Sequence, residues 1–362
     1  MARELGDDRA VAALLYELAA VHENRGDYPG SEALLDEALR VEGVEGDAAR
    51  LLEAHELMAC SLFHQGSFEA AVEQAERGLA LHEPGQQHPA AAFHGEDPAV
   101  SCHDWAGQAL WCLGHPDQAL GRINAALELA EEPGRTHSLA SARVHAARLH
   151  QLRSEPEEAL VQAEAAVAVA SERGFGFQSG TGLILTGWAL AAIGRHDEGI
   201  DRLREGLAAL RALGAEVDRP YFLALLAEGM GAAGRPEHGL SAIADALELV
   251  GSARAFFYEA ELHRLRGTLT LEIAGATRAE DVTSSFQRAL EVARRQGAKS
   301  LELRAAVSLA RLLRERGADE DGRRVLTEAC AGFGENRETP DLRDARALLG
   351  GPRAEAPRTA SS

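Results

Sequence analysis

Lysine is all but missing from this 362-residue chain, with Lys299 the only one. Because Ala298 precedes it, no Gly-Lys-Ser/Thr phosphate loop can form, and ATP hydrolysis by that route is excluded. Aromatic residues make up 5% of the chain and β-branched residues are scarce, which argues against an extended sheet. No run of about 18 apolar residues occurs, and no charged, apolar leader opens the sequence, so the expected location is the cytoplasm. The four cysteines, Cys60, Cys102, Cys112 and Cys330, lie far apart without a Cys-x-x-Cys pair. They are expected to be reduced, structural thiols, and neither a disulfide framework nor a zinc site is suggested. Gly-x-Ser-x-Gly and His-Glu-x-x-His are also missing. Gly174, Gly176 and Gly180 have no strand before them, so they read as an inter-repeat loop and not as a dinucleotide fingerprint. Carboxylate pairs such as Glu157 and Glu158 fall at helix starts, where negative charge complements the helix dipole. The expectation is a non-enzymatic chain that needs no cofactor and no metal.

What is present is a repeat. Leu, Ala, Glu and Arg, all good helix formers, dominate. Turn signals recur at Gly26, Gly66, Gly114, Ser154, Gly194, Gly234, Gly275 and Gly317, in steps of 40, 48, 40, 40, 40, 41 and 42 residues. A period in this range marks stacked helix-turn-helix units, none of which can bury its apolar face alone. The expected first helices run through residues 10–25, 48–65, 100–113, 138–153, 180–193, 220–233, 257–274 and 300–316. A second helix follows each turn, and 341–349 reads as a short closing helix. The 48-residue step contains 82–98, where Pro84, Gly85, Pro89, Gly95 and Pro98 predict a loop insertion. His82, His88 and His94 recur within it, but without the spacing and companion ligands that a metal site needs. Residues 350–362, rich in Gly, Pro, Ser and Ala, are expected to be a disordered tail behind a single repeat domain of 1–349.

Charge is uneven along the chain. The net charge is −20, with 18 basic and 40 acidic side chains in residues 1–250 against 19 and 17 in 251–362. An acidic surface repels phosphate backbones, so nucleic acid is not an expected partner, nor is a membrane. Arg294, Arg295, Lys299, Arg304, Arg311, Arg314, Arg316, Arg323 and Arg324 could line up as a basic strip. Arg294 and Arg295 also sit at a helix end before Gly297, where cations complement the dipole.

Small residues narrow the kind of repeat. Seven positions before the turns stand Ala19, Ala59, Gly107, Ala147, Gly187, Ala227 and Ala310, with Gly267 one step out of register in the seventh unit. Five positions after come Ser31, Ala71, Ala119, Ala159, Gly199, Gly239 and Gly322, and twelve after come Ala38, Gly78, Ala126, Ala166, Gly206, Ala246 and Ala329. Such positions let neighbouring helices approach closely, and bulk there would overpack. The pattern resembles a lengthened tetratricopeptide repeat, and the first two units keep its aromatic two past the turn, Tyr28 and Phe68. The fold expected is an all-α, tetratricopeptide-like α-solenoid of about eight units. In such arrays the first helix of each unit lines the concave face, and positions ten, six and three before the turn point into it. Those offsets nominate Tyr16, Trp111, Arg148, Trp188, Glu228, Arg311 and Arg314, with Arg264 following if the seventh unit is registered on Gly267. Aromatic and arginine side chains are frequent interface anchors.

From about His64 to Gly350 the sequence resembles the C-terminal tetratricopeptide arm of large bacterial signal-transducing ATPases with numerous domains, many of them fused to class III adenylate or guanylate cyclase domains. The resemblance rests on Asp97 to Val100, Ala109 to Trp111 with Pro116 to Leu120, Gly187 to Ala191, and Arg219 to Glu228. In the closing third it rests on Tyr258 to Gly267, Phe286 to Gln296, Ala298 to Leu312 and Thr339 to Leu349. It implies an arm that senses a ligand or partner, without the cyclase or ATPase that such proteins carry upstream. The leading expectation is a scaffold that binds a protein or peptide in its concave groove, in signalling or regulation. The alternative is an arm that senses a small-molecule effector and acts on a separate ATPase or cyclase module.

Overall fold

The structure is a computed structural model that describes residues 8–43, 47–83, 96–253, 256–333 and 339–350. Among these residues there are seventeen α-helices, one 3-10 turn and no strand. They are α1 (Asp8–Asn24), α2 (Tyr28–Glu42), α3 (Ala48–His64), α4 (Phe68–Leu79), α5 (Pro98–Cys112), α6 (Pro116–Ala130), α7 (Thr136–Leu152) and α8 (Pro156–Arg173). Then follow α9 (Gly176–Ala192), α10 (His196–Ala212), α11 (Arg219–Ala232), α12 (Pro236–Ala253), α13 (Glu259–Ala274), α14 (Ala279–Arg295), α15 (Lys299–Glu315), α16 (Asp319–Cys330) and α17 (Pro340–Gly350). The 3-10 turn Gly275–Arg278 occupies the lengthened seventh turn. The expected insertion falls largely at 84–95 and the expected tail at 351–362, both outside the described residues.

The turn signals act through the backbone. Every one of the eight positions has φ between +52° and +91°, including Ser154 at +59°. This left-handed conformation ends one helix and redirects the chain into the next, and glycine reaches it without a Cβ clash. Proline within the first turn of α2, α6 and α8 presets the next helix, and acidic residues such as Glu157 and Glu158 lie in the first turn of α8.

Helix packing follows the small residues. A Cβ on Gly187 in α9 would come within 2.6 Å of the Gly199 carbonyl and the Leu203 amide in α10. One on Gly206 would meet the Gly180 carbonyl at 2.5 Å. In the seventh repeat a Cβ on Gly267 would meet the Phe286 ring at 2.5 Å, so the displaced register found in the sequence is where α13 and α14 meet. One loop reading is corrected. Gly174 alone turns the chain there (φ +74°), whereas Gly176 and Gly180 lie inside α9, whose first turns need small residues against Leu213 and Leu210.

The chain divides into two compact units, one of residues 1–111 with 115–258 and the other of 112–114 with 259–362. In the first, apolar clusters form between successive helices, as where Val11, Leu15 and Tyr16 meet Leu35 and Met58. The second has a core of Val282, Phe286, Leu303, Leu309, Leu326 and Leu342, which the closing helix α17 helps to cover. In that second unit the arginines are taken up by carboxylates. Arg294 pairs with Glu302 at 2.7 Å, Arg295 with Glu259 at 3.0 Å, Arg304 with Asp341 at 2.9 Å and Arg323 with Asp319 at 2.9 Å. The basic strip conceivable from sequence is therefore not a free phosphate-binding face. No helix among the described residues is long and apolar enough to cross a membrane.

Candidate functional site

The first helices of successive repeats line a cavity of about 430 Å³ in the first unit. α1 contributes Tyr16, Ala20 and Glu23, and α3 contributes Glu53, Glu56 and Cys60. Ser101 and Trp105 come from α5, His137, Ser141, His145 and Arg148 from α7, Gln178 and Thr181 from α9, and Asp218 from the turn before α11. Among the described residues no lining residue comes from a second helix, because stacked pairs turn their first helices inward.

A buried polar network forms part of the wall. Asp218, fully enclosed at φ +61°, accepts from His64 Nε2 at 3.0 Å and pairs with the Arg148 guanidinium. His64 Nδ1 lies 2.9 Å from the Cys60 carbonyl. The ring thus reaches the Cys60 carbonyl with one nitrogen and the Asp218 carboxylate with the other. Its face stacks on Tyr28 with centroids 4.5 Å apart. Arg148 also donates to Gln108 Oε1 at 3.3 Å and lies over the Tyr221 ring, 4.8 Å from its centroid. Burial by itself would raise the Asp218 carboxyl, but Arg148 and His64 hold it well below the usual carboxylate range. Burial and the neighbouring Arg148 push His145 down to about 3. Asp218 tolerates a left-handed backbone better than most residues, and its position ties helices 154 residues apart in sequence.

A neighbouring part of the wall, reached through Cys60, is acidic. Glu23, 8% exposed, accepts from the Ser61 hydroxyl at 2.8 Å and, at 3.5 Å, from Ser31. Burial, only partly offset by those hydroxyls and Cys60, pushes its carboxyl up to about 8. Glu56 accepts from Trp105 Nε1 at 3.1 Å. Burial, followed by repulsion from Glu23, Glu96 and Glu53, pushes its carboxyl well above the usual range. Glu23 carries its proton in the folded chain up to about pH 8, whereas the unfolded chain releases it near 4.5, so stability must fall as pH rises between those values and level off above them. Glu23→Gln is expected to remove that slope. In thermal melts the variant should match wild type near pH 4.5 and exceed it at pH 8 by on the order of a few kcal/mol.

Comparison with known proteins agrees with the repeat geometry. A tetratricopeptide repeat profile matches residues 11–46. The structure of a Rap protein complexed with Competence and Sporulation Factor superimposes with a TM-score of 0.62 at 14% identity, over 79% of this chain and 75% of that one. NprR in complex with its cognate peptide NprX gives 0.59 at 13% identity, over 88% and 87%. The fold is tetratricopeptide-like. An uncharacterized protein of Rhizobium meliloti (strain 1021) is 29% identical over 256 residues, which are 69% of this chain and 24% of that protein. The chain thus spans about a quarter of the length of the curated relative it matches.

Within this tetratricopeptide-like frame the eight nominated residues separate. Tyr16 and Arg148 line the cavity. Trp111 is buried in α5, and Trp188 is buried in α9 with its indole donating to Glu228 at 2.9 Å, so these three do not line it. Arg264, Arg311 and Arg314 belong to the second unit, where they pair with Glu261, Asp344 and Asp319. Two lining residues beyond the nominated eight obey the same offsets, Glu23 at three before Gly26 and Glu56 at ten before Gly66. Asp104, ten before Gly114, lies nearby in α5, fully buried, with no hydrogen-bond partner for either carboxyl oxygen among the described residues. Trp105 and His145 stand nine before their turns and Thr181 thirteen, positions that the three offsets do not include.

The cysteines are thiols. Cys60, Cys102 and Cys112 are buried, and burial raises the first two well above the ordinary thiol range. Among the described residues no group of three or more His, Cys, Asp or Glu side chains is arranged to hold a metal ion.

Proposed function

We propose that the first unit is a scaffold that binds a peptide, or a peptide-like segment of a protein partner, in this cavity, in a regulatory role and without chemistry of its own. The observation that carries the reading is the lining itself: one cavity faced by the first helices of five consecutive repeats, mixing aromatic, hydroxyl and charged side chains. Ligand sites are typically concave and pair apolar surface with a few oriented polar groups. NprR, which shares the fold, is a protein whose structure was determined with a peptide. The test is to pan a random heptapeptide display library against the full chain and against Ala20→Trp, which fills the cavity from α1. Retention on the wild type that falls about tenfold or more in the variant supports the reading. No retention, or equal retention by both, sinks it.

A second reading has its own support. A cavity of about 430 Å³ also suits a small effector, whose binding the arm would pass to a separate or lost ATPase or cyclase module, and the Rhizobium meliloti relative, about four times longer than the matched segment, has room for such a module. Native mass spectrometry of the purified chain separates the two. A stoichiometric metabolite that competes with no peptide favours the effector.

A further inference from the structure

Glu23 and Glu56 present two carboxyls to one cavity, and each is satisfied only by neutral donors. Glu23 has the hydroxyls of Ser61 and Ser31 and the Cys60 thiol, and Glu56 has the Trp105 indole. Neither makes an ion pair among the described residues, although arginine takes up other buried carboxylates such as Asp97, Asp218 and Glu302. Arg148, the only Arg or Lys of the wall among the described residues, is committed to Asp218. Buried carboxyls are normally paired or neutralised, and a protein that leaves two of them beside a cavity is poised for a cation from outside. A second, independent observation comes from α9, which lines the same cavity. Thr181, 1% exposed, faces it with a hydroxyl that has no hydrogen-bond partner among the described residues.

Resting on the peptide-binding reading, we propose that this cavity takes a basic side chain of the bound peptide, a guanidinium or ammonium cation, held by Glu23 and Glu56. The volume and chemistry favour an organic cation over an inorganic one. The described residues offer no set of three metal-ligating side chains, whereas 430 Å³ has room for the stem of a long side chain beside Tyr16 and Trp105. A guanidinium brings five N–H donors and no acceptor, which suits a wall whose spare capacity is carboxyl and hydroxyl oxygen. Trp105 offers an aromatic ring to the same cation. A bound cation would draw Glu23 and Glu56 towards ionisation, so binding releases protons and strengthens with pH. The other titratable groups that interact with Glu23 and Glu56 among the described residues are Tyr28, Cys60, Cys102, Glu53 and Glu96. None of these is a cation that could take the ligand's place.

The experiment starts from the peptides retained by the full wild-type chain. They are expected to be enriched in Arg or Lys at one position. The most enriched peptide is then resynthesised with citrulline replacing arginine, or norleucine replacing lysine, and both forms are titrated calorimetrically. Loss of the charge should weaken binding about tenfold or more. The charged form should bind more tightly at pH 9 than at pH 6, and the neutral form should not. In Glu23→Gln/Glu56→Gln the two forms should bind alike, while Glu205→Gln, an exposed carboxyl on α10, should behave as wild type. The probe swap is made on wild-type protein, so it stands even if the double variant folds poorly. Retained peptides without basic enrichment, or a neutral swap, overturn this inference and leave the peptide scaffold intact. Failure to retain any peptide overturns the scaffold reading itself. Agmatine, a guanidinium without a peptide, displacing the bound peptide at equal concentration would assign the cavity to a free cation and overturn the peptide source.

Discussion

Arg148→Met is expected to destabilise the first unit by about 3–5 kcal/mol, because it leaves the enclosed Asp218 carboxylate with His64 alone. Asp218→Asn should cost a similar amount, since the guanidinium then lies unpaired over Tyr221. Asparagine is the informative substitute because it tolerates the left-handed backbone that Asp218 adopts. The double variant should lose clearly less than the sum of the two, as partners in one buried network do. Urea unfolding followed by circular dichroism measures all three, and simple additivity would show that the pair does not act as a unit. Acid should attack the same region. The Asp218 contribution is present above its ordinary value of 3.8 and is lost as pH falls through its depressed folded value. His145, held down to about 3 in the fold against an ordinary 6.5, adds a loss that begins below about pH 6.5, because the unfolded chain then binds the proton more readily. Arg148→Met should therefore shed the Asp218-linked part of the acid sensitivity along with its stability.

Gly187→Leu is the second large effect, with a loss of a few kcal/mol in the first unit. The reason is backbone. Even a bare Cβ would stand 2.6 Å from the Gly199 carbonyl and the Leu203 amide, so no rotamer change can relieve it and α9 must move off α10. Gly187→Ala should already be destabilising. Gly121, on the open face of α6 with nothing within 4 Å of its Cβ position, supplies the contrast. Gly121→Ala should stabilise by about 0.5–1 kcal/mol through helix propensity and a less flexible unfolded chain. Thermal melts of both variants check the pair. An unchanged melt for Gly187→Leu would show that the two helices do not approach as closely as described.

The repeat and its register were legible in the sequence because they depend on local chemistry. A glycine every 40 residues or so marks a left-handed turn wherever the chain lies, and Ala or Gly at fixed offsets marks a helix crossing. Gly176 and Gly180 lie in a helix that local pattern does not reveal. Glycines clustered near a unit boundary look like a loop, yet Gly180 is small because Leu210 presses on α9 there. The candidate site was half legible. Tyr16 and Arg148 follow from the offset rule, whereas Trp188 satisfies the same rule and instead turns its indole to Glu228.

The sequence by itself determined an all-α, tetratricopeptide-like array, since eight turns and their small-residue offsets permit little else. It also determined that no phosphate loop could exist with a single lysine behind Ala298. Only the tertiary structure decided which inward-facing residues share a cavity. His64 and Asp218 meet across 154 residues because small rotations between repeats accumulate, and no local pattern encodes their sum. The same accumulation sets Glu23 beside Glu56 and gives their carboxyls only neutral partners, leaving the cavity short of a positive charge.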